Sequence, residues 1–159
     1  MKFIQGEAGT NANRIIYFTK QHLSSGIWQI HNEAVLTERL RAVGIEIISP
    51  EELSLYDQIK LWKEGGLFIA SASSALHSAA FVGKRKLIVL NNVAEIWSNQ
   101  VLIDKVSGND SLYLYDTDNF EYRLDGLEGF AGNLYIKNMN QFVGELVQQI
   151  KEFRKDSIS

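Results

Sequence analysis

The residues best suited to chemistry are the serines of Leu67-Phe68-Ile69-Ala70-Ser71-Ala72-Ser73-Ser74-Ala75-Leu76-His77, near the middle of a chain of 159 residues. Leu67 to Ala70 is a brief apolar run that reads as a buried parallel strand, and the alanine-rich Ala75 to Val82, stopped by Gly83, reads as a short helix. Ser71, Ser73 and Ser74 fall between the two. Hydroxyls and unpaired backbone N–H groups then meet at the carboxyl end of a strand and the amino end of a helix, where the helix dipole favours an anion. This is a phosphate seat in outline, although plain turn and cap residues would have the same types and spacing.

Lys20 closes an apolar run, Arg14 to Thr19, and would bring one cation to a second strand end. Glu51 and Glu52, after Pro50, supply carboxylates that could accept hydrogen bonds from ribose hydroxyls. Acids beside a helix start are also favoured by the dipole alone. His77, three residues past Ser74, is either a phosphate or leaving-group partner or a partly buried helix residue. Asp116-Thr117-Asp118 has the spacing of a carboxylate pair for a metal-bound diphosphate, but Asp-Thr-Asp-Asn is ordinary turn chemistry and we favour the turn. The serine stretch also resembles a degraded nucleophile elbow. The histidines are His22, His31 and His77, none on a later loop, so a hydrolase triad is not supported.

These residues need a frame, and the apolar periodicity supplies one. Arg14 to Thr19 is a strand, and Lys20 to Gly26 a polar loop. Asn32 caps a helix with Leu36, Leu40 and Val43 on one stripe, stopped at Gly44. Ile45 to Ser49 is the next strand. Ser54, with Asp57 as a capping-box variant, opens a helix with Leu55, Ile59 and Trp62 inward, ended by Gly65-Gly66. After the serine unit come a strand at Lys86 to Leu90, a helix around Ala94 to Val106 and a strand at Leu112 to Tyr115. Short strands are expected at Phe120 to Leu124 and Asn133 to Ile136. A last helix, opened by Asn138 and Gln141, buries Met139, Phe142, Val143, Leu146, Val147, Ile150 and Phe153.

This alternation predicts a Rossmann-like α/β domain: a parallel sheet with helices on both faces, over residues 14–154, with a lead-in or linker at 1–13 and a tail at 155–159. Ligands in such sheets bind beyond the carboxyl ends of the strands. Lys20 to Gly26, Ser49 to Ser54 and Ser71 to Ser74 should therefore converge on one cleft.

A net charge of -3 and scattered lysines and arginines give no nucleic-acid surface. The chain has no cysteine, which excludes disulfides and thiolate chemistry and fits a reducing compartment. It shows neither a signal region nor an apolar run long enough for a membrane span, so a cytoplasmic location is expected.

Arg14-Ile15-Ile16-Tyr17-Phe18-Thr19-Lys20, Leu23-Ser24-Ser25-Gly26, Asn32-Glu33, Gly44 to Ile48, Pro50 to Ser54, Gln58-Ile59 and Ser73-Ser74-Ala75-Leu76-His77-Ser78 form an ordered series. In order and spacing it is similar to the C-terminal half of glycosyltransferase family 61, over roughly half the chain. The resemblance implies a GT-B fold, in which two Rossmann-like halves face each other and the C-terminal half binds a nucleotide-sugar, typically a UDP-sugar. It also implies inverting transfer to a glycan or protein hydroxyl. Two positions depart from the family: Lys20 stands where arginine is usual, keeping the charge without the bidentate fork, and Ser73 to Ser78 replaces a Gly-x-Ala-Leu-x-Asn turn.

The resulting expectation is the donor half of a polysaccharide-forming glycosyltransferase. The diphosphate would sit on Ser71, Ser73, Ser74, Ala75, Leu76 and His77, aided by Lys20, with Glu51 or Glu52 near the ribose. No permanent cofactor or metal is expected, and a catalytic base and acceptor site would come from an N-terminal domain or a partner chain. Two other readings stay open: a phosphosugar isomerase-like domain, and a non-catalytic nucleotide-binding or assembly module using the C-terminal helix or Trp28 and Trp97 as its contact surface.

Overall fold

The computed structural model describes residues 11–155. The rest of the expected lead-in and tail lies outside the described residues. The chain runs β1 (Ile15–Phe18), β2 (Gly26–Ile30), α1 (Glu33–Ala42), β3 (Glu46–Ile48), a 3₁₀ turn (Pro50–Glu52), α2 (Leu55–Glu64), β4 (Leu67–Ser71) and a 3₁₀ helix (Ser74–Phe81). It continues through β5 (Lys86–Leu90), α3 (Ser98–Ser107), β6 (Asp110–Leu114), β7 (Phe120–Arg123), β8 (Phe130–Ile136) and α4 (Met139–Lys155).

Five strands form a parallel sheet in the order β3-β1-β4-β5-β6. Its strands alternate strictly. Tyr17, Leu67, Ile69, Ile88 and Leu90 face one core, shared with Leu36 and Leu40 of α1 and Phe142, Leu146 and Ile150 of α4. Ile16, Phe18, Phe68, Leu87 and Val89 face the other, against Leu61 and Trp62 of α2 and Leu76 and Ala79 of the 3₁₀ helix. Continuous apolar strands are what burial on both faces requires. The Trp62 ring lies 4.1 Å from Phe68 and 5.4 Å from Phe18, centre to centre, and anchors that second face. The expected α/β class and parallel sheet are thus present.

The strand order matters for function. From β1 the chain moves outward to β3 and then returns to β4 on the other side of β1. Connections leaving neighbouring strands in opposite directions open a crevice beyond their carboxyl ends. Here those ends are Lys20 after β1 and Ser73-Ser74 after β4.

A second sheet, β2-β8-β7, was only partly foreseen. Strands at β7 and β8 match expectation, but Gly26–Ile30, of which only Gly26 has an expected place, as the end of a loop, is a strand parallel to β8 more than a hundred residues away. Ile30, Phe120, Leu134 and Ile136 seal this sheet to the main core. Gly132 of β8 pairs with Trp28, and a Cβ there would meet the Trp28 ring at 2.6 Å, so the glycine lets the indole lie flat on the strand.

Several local expectations change. The short helix of the serine unit is a 3₁₀ helix over Ser74–Phe81, shifted one residue from the expected Ala75 to Val82, and Gly83 follows it with φ of +77°. Ser71 is the last residue of β4, in register with Leu90, rather than a turn residue. α3 starts at Ser98, four residues later than expected. Val43 and Leu55 are exposed, because the helix stripes are narrower than their apolar spacing suggests. The capping box stands: Ser54 Oγ accepts from the Asp57 N–H at 3.1 Å. Asn32 makes no cap bond to α1. Its side chain instead accepts from the Ile136 N–H at 3.1 Å and donates to the Ile136 carbonyl at 2.9 Å, tying the start of α1 to β8.

Candidate functional site

Beyond the carboxyl ends of β1, β4 and β5 lies a cavity of about 480 Å³, and against it a smaller one of about 200 Å³. Lys20, Leu23, Ser73 and Ser74 line both. The crevice predicted by the strand order is therefore occupied by the expected lysine and serines, which stand between two chambers.

The serine turn is chemically open. Ser73 has extended backbone and its side chain makes no cap bond. The backbone N–H groups of Ser73, Ser74 and Ala75 donate to no acceptor among the described residues. Unpaired donors at a helix start are the kind of group that favours an anion. Leu76 does not belong to it: its side chain is fully buried in the second core, and its N–H donates to the Ser73 carbonyl at 3.2 Å. His77 lines the large chamber, Ala75 the small one, and Ser71 a recess shared with Lys20.

Among the described residues, Lys20 is the only lysine or arginine lining either chamber. Its ammonium donates to the Trp28 carbonyl at 3.2 Å. Its backbone N–H points at both carboxylate oxygens of Glu33, each at 3.2 Å. Glu33, the first residue of α1, is 2% exposed and also accepts from the Tyr17 hydroxyl at 2.8 Å. Burial pushes the Glu33 carboxyl up, against the opposing pull of its hydrogen bonds. Burial also pulls the Lys20 ammonium down, and the Glu33 charge partly restores it. A buried carboxylate thus holds the backbone of the turn after β1 that carries Lys20.

The two expected ribose acids part company. Glu51 lines the small chamber, whereas Glu52 pairs with His22 Nδ1 at 2.6 Å and lines neither. His22 Nδ1 also lies 3.1 Å from Ser49 Oγ. Asp116 is consumed by its own turn: its carboxylate accepts from the N–H groups of Asp118 and Asn119 at 3.0 and 2.9 Å and from the Asn119 amide at 2.9 Å. Among the described residues no group of three or more His, Asp or Glu could hold a metal ion.

The large chamber has walls that sequence reasoning did not assign. Trp28 and Phe130 come from the second sheet, Tyr113 from β6 and Trp97 from the lead into α3. Trp28 and Trp97, expected as an outer contact surface, line the chamber. Asn91 and Asn92, which follow β5, are both buried beside it. Asn91 donates to the carbonyls of Val93 and Glu95 at 2.6 and 2.8 Å and so holds the segment leading to Trp97. Their position at a strand's carboxyl end was the available signal. Burial of Glu33 had none.

Residues 2–89 match the sequence model of the glycosyltransferase 61 family. That is more than half of the 159 residues. The chain belongs to glycosyltransferase family 61. No curated protein and no solved structure matches it. The matched segment of this family 61 chain includes Lys20, Glu33, Glu51, Ser73, Ser74 and His77, the seat and its support. Asn91, Asn92, Trp97, Tyr113 and Phe130 lie beyond it, so part of the large chamber's wall comes from outside the family's matched region, while Trp28 lies within it. No helix among the described residues is long and apolar enough to cross a membrane.

Proposed function

We propose that this domain is the nucleotide-sugar-binding half of a GT-B type glycosyltransferase that passes a sugar to a glycan or polysaccharide hydroxyl. The observation that carries the reading is the seat itself. Lys20 and the free N–H groups of Ser73, Ser74 and Ala75 stand at the switch point of the sheet, between two chambers. A nucleoside diphosphate sugar has the matching plan: a doubly anionic centre with an organic group at each end.

The diphosphate takes the seat. The base and ribose take the large chamber, where Trp28, Trp97, Phe130 and Tyr113 offer aromatic faces to a flat ring. As the acceptor oxygen bonds to the anomeric carbon, the bond to the diphosphate oxygen breaks and the leaving group gains charge. Lys20 and the serine-turn amides neutralise that charge where it develops, which is an electrostatic contribution to catalysis. The acceptor's base comes from a second domain or partner chain. Donor binding needs no divalent metal, because the seat supplies a cation and three amides and Asp116 is engaged in its turn.

Calorimetric titration of the chain with UDP, UMP and inorganic pyrophosphate, with and without magnesium, tests this. Saturable binding in the order UDP over UMP, unchanged by magnesium, is expected. A chain that binds none of the three refutes the reading.

A further inference from the structure

Resting on that donor reading, the geometry points to the small chamber as the pocket for the transferred sugar, with Glu51 as the residue that reads its hydroxyls. This moves Glu51 from the ribose, where the sequence put it, to the opposite side of the diphosphate.

Size and lining divide the two chambers. The large one, about 480 Å³ and walled by aromatic rings, has room for a base with its pentose. The small one, about 200 Å³, has room for one ring, and among the described residues Glu51 is the only carboxylate lining it. Both open onto Lys20, Ser73 and Ser74. A diphosphate on that seat therefore extends one substituent into each chamber.

Glu51 is free for such a task. It makes no ion pair or hydrogen bond among the described residues, whereas its neighbour Glu52 is held by His22. Its loop is also fixed relative to the seat. The Gln58 amide donates to the carbonyls of Pro50 and Leu53 at 2.9 and 3.3 Å, and accepts from Ser78 Oγ of the 3₁₀ helix at 3.2 Å. One side chain thus locks the Glu51 loop to the element that carries the serine amides. A bare carboxylate next to a bound diphosphate would repel it. A hydroxylated ring between the two removes that cost, because its O–H groups donate to the carboxylate. The ligand class is therefore a neutral monosaccharide with adjacent hydroxyls, and Glu51 is a specificity-determining residue that discriminates among donors.

The test compares dissociation constants for UDP, UDP-glucose, UDP-N-acetylglucosamine and UDP-xylose on the wild type, Glu51→Gln and Glu51→Ala. Glu51 is exposed, so both variants should fold, and matching melting temperatures confirm it. The expected result is UDP affinity equal to or higher than wild type for both variants, since a bare carboxylate no longer repels the diphosphate, with at least one UDP-sugar weakened about tenfold, as for loss of one hydrogen bond to a charged group. Equal weakening of UDP and UDP-sugars would return Glu51 to the nucleoside and overturn the proposal. So would unchanged affinity for every UDP-sugar, or a wild type that binds UDP but no UDP-sugar. A wild type that does not bind UDP defeats the donor reading itself, and this proposal with it.

Discussion

Replacing Lys20 by methionine isolates the charge at the seat. Methionine fills the volume of the lysine stem in the chamber wall, while the ammonium and its bond to the Trp28 carbonyl are lost. Two unit charges 4 Å apart at an effective dielectric of 20 attract by about 4 kcal/mol, which is an upper bound for one phosphate on Lys20. The Glu33 carboxylate already engages that charge, so less of it is available to a ligand. A hydrogen bond to a charged group contributes a net ~1.5–3 kcal/mol, the better guide here. Lys20→Met should therefore weaken UDP binding by roughly tenfold to 150-fold. Calorimetric titration reads this directly, with a thermal melt to show that the fold survives. Lys20→Arg should keep most of the affinity, since charge and reach are preserved. A folded Lys20→Met variant with UDP affinity within twofold of wild type would refute the assignment of Lys20 to the diphosphate.

Two further outcomes concern what holds the seat. Burial raises the folded-state pKa of Glu33 above its unfolded value, so its proton stabilises the fold at low pH and that contribution is lost as pH rises through the folded value. The stability of wild type relative to Glu33→Gln should accordingly be greater near about pH 4 than near about pH 8 in urea unfolding, and a pH-independent difference would contradict it. Asn32→Ala leaves the buried N–H and carbonyl of Ile136 without their side-chain partner, which should cost about 2–4 kcal/mol and lower the melting temperature by ~4–16 °C. A change under a degree would mean that the tie between α1 and β8 carries no weight.

Local chemistry made much of this protein legible from its residues alone. Two-sided apolar strands such as Leu67 to Ala70 can only sit in a buried parallel sheet, and Ser54 with Asp57, Gly83, and Asn138 with Gln141 mark helix ends by bonds within a few residues. Because the alternation of strand and helix dictates crossovers, the position of Lys20 and the serines at strand ends was readable, and so was their approach to one another. What tertiary structure decided depends on partners far away in sequence. β2 exists because β8 pairs with it, and Asn32 serves Ile136, 104 residues away, instead of its own helix. Glu33 is buried only because Tyr17 and the turn at Lys20 close over it, and Glu52 leaves the site only because His22 is near. Likewise Trp28 faces a chamber because a second sheet folds across the strand ends, and Trp97 lines it from the segment that Asn91 holds. Periodicity reports which face a residue shows to its own element, whereas the division of the cleft into two chambers depends on how separate elements meet, which no local pattern encodes.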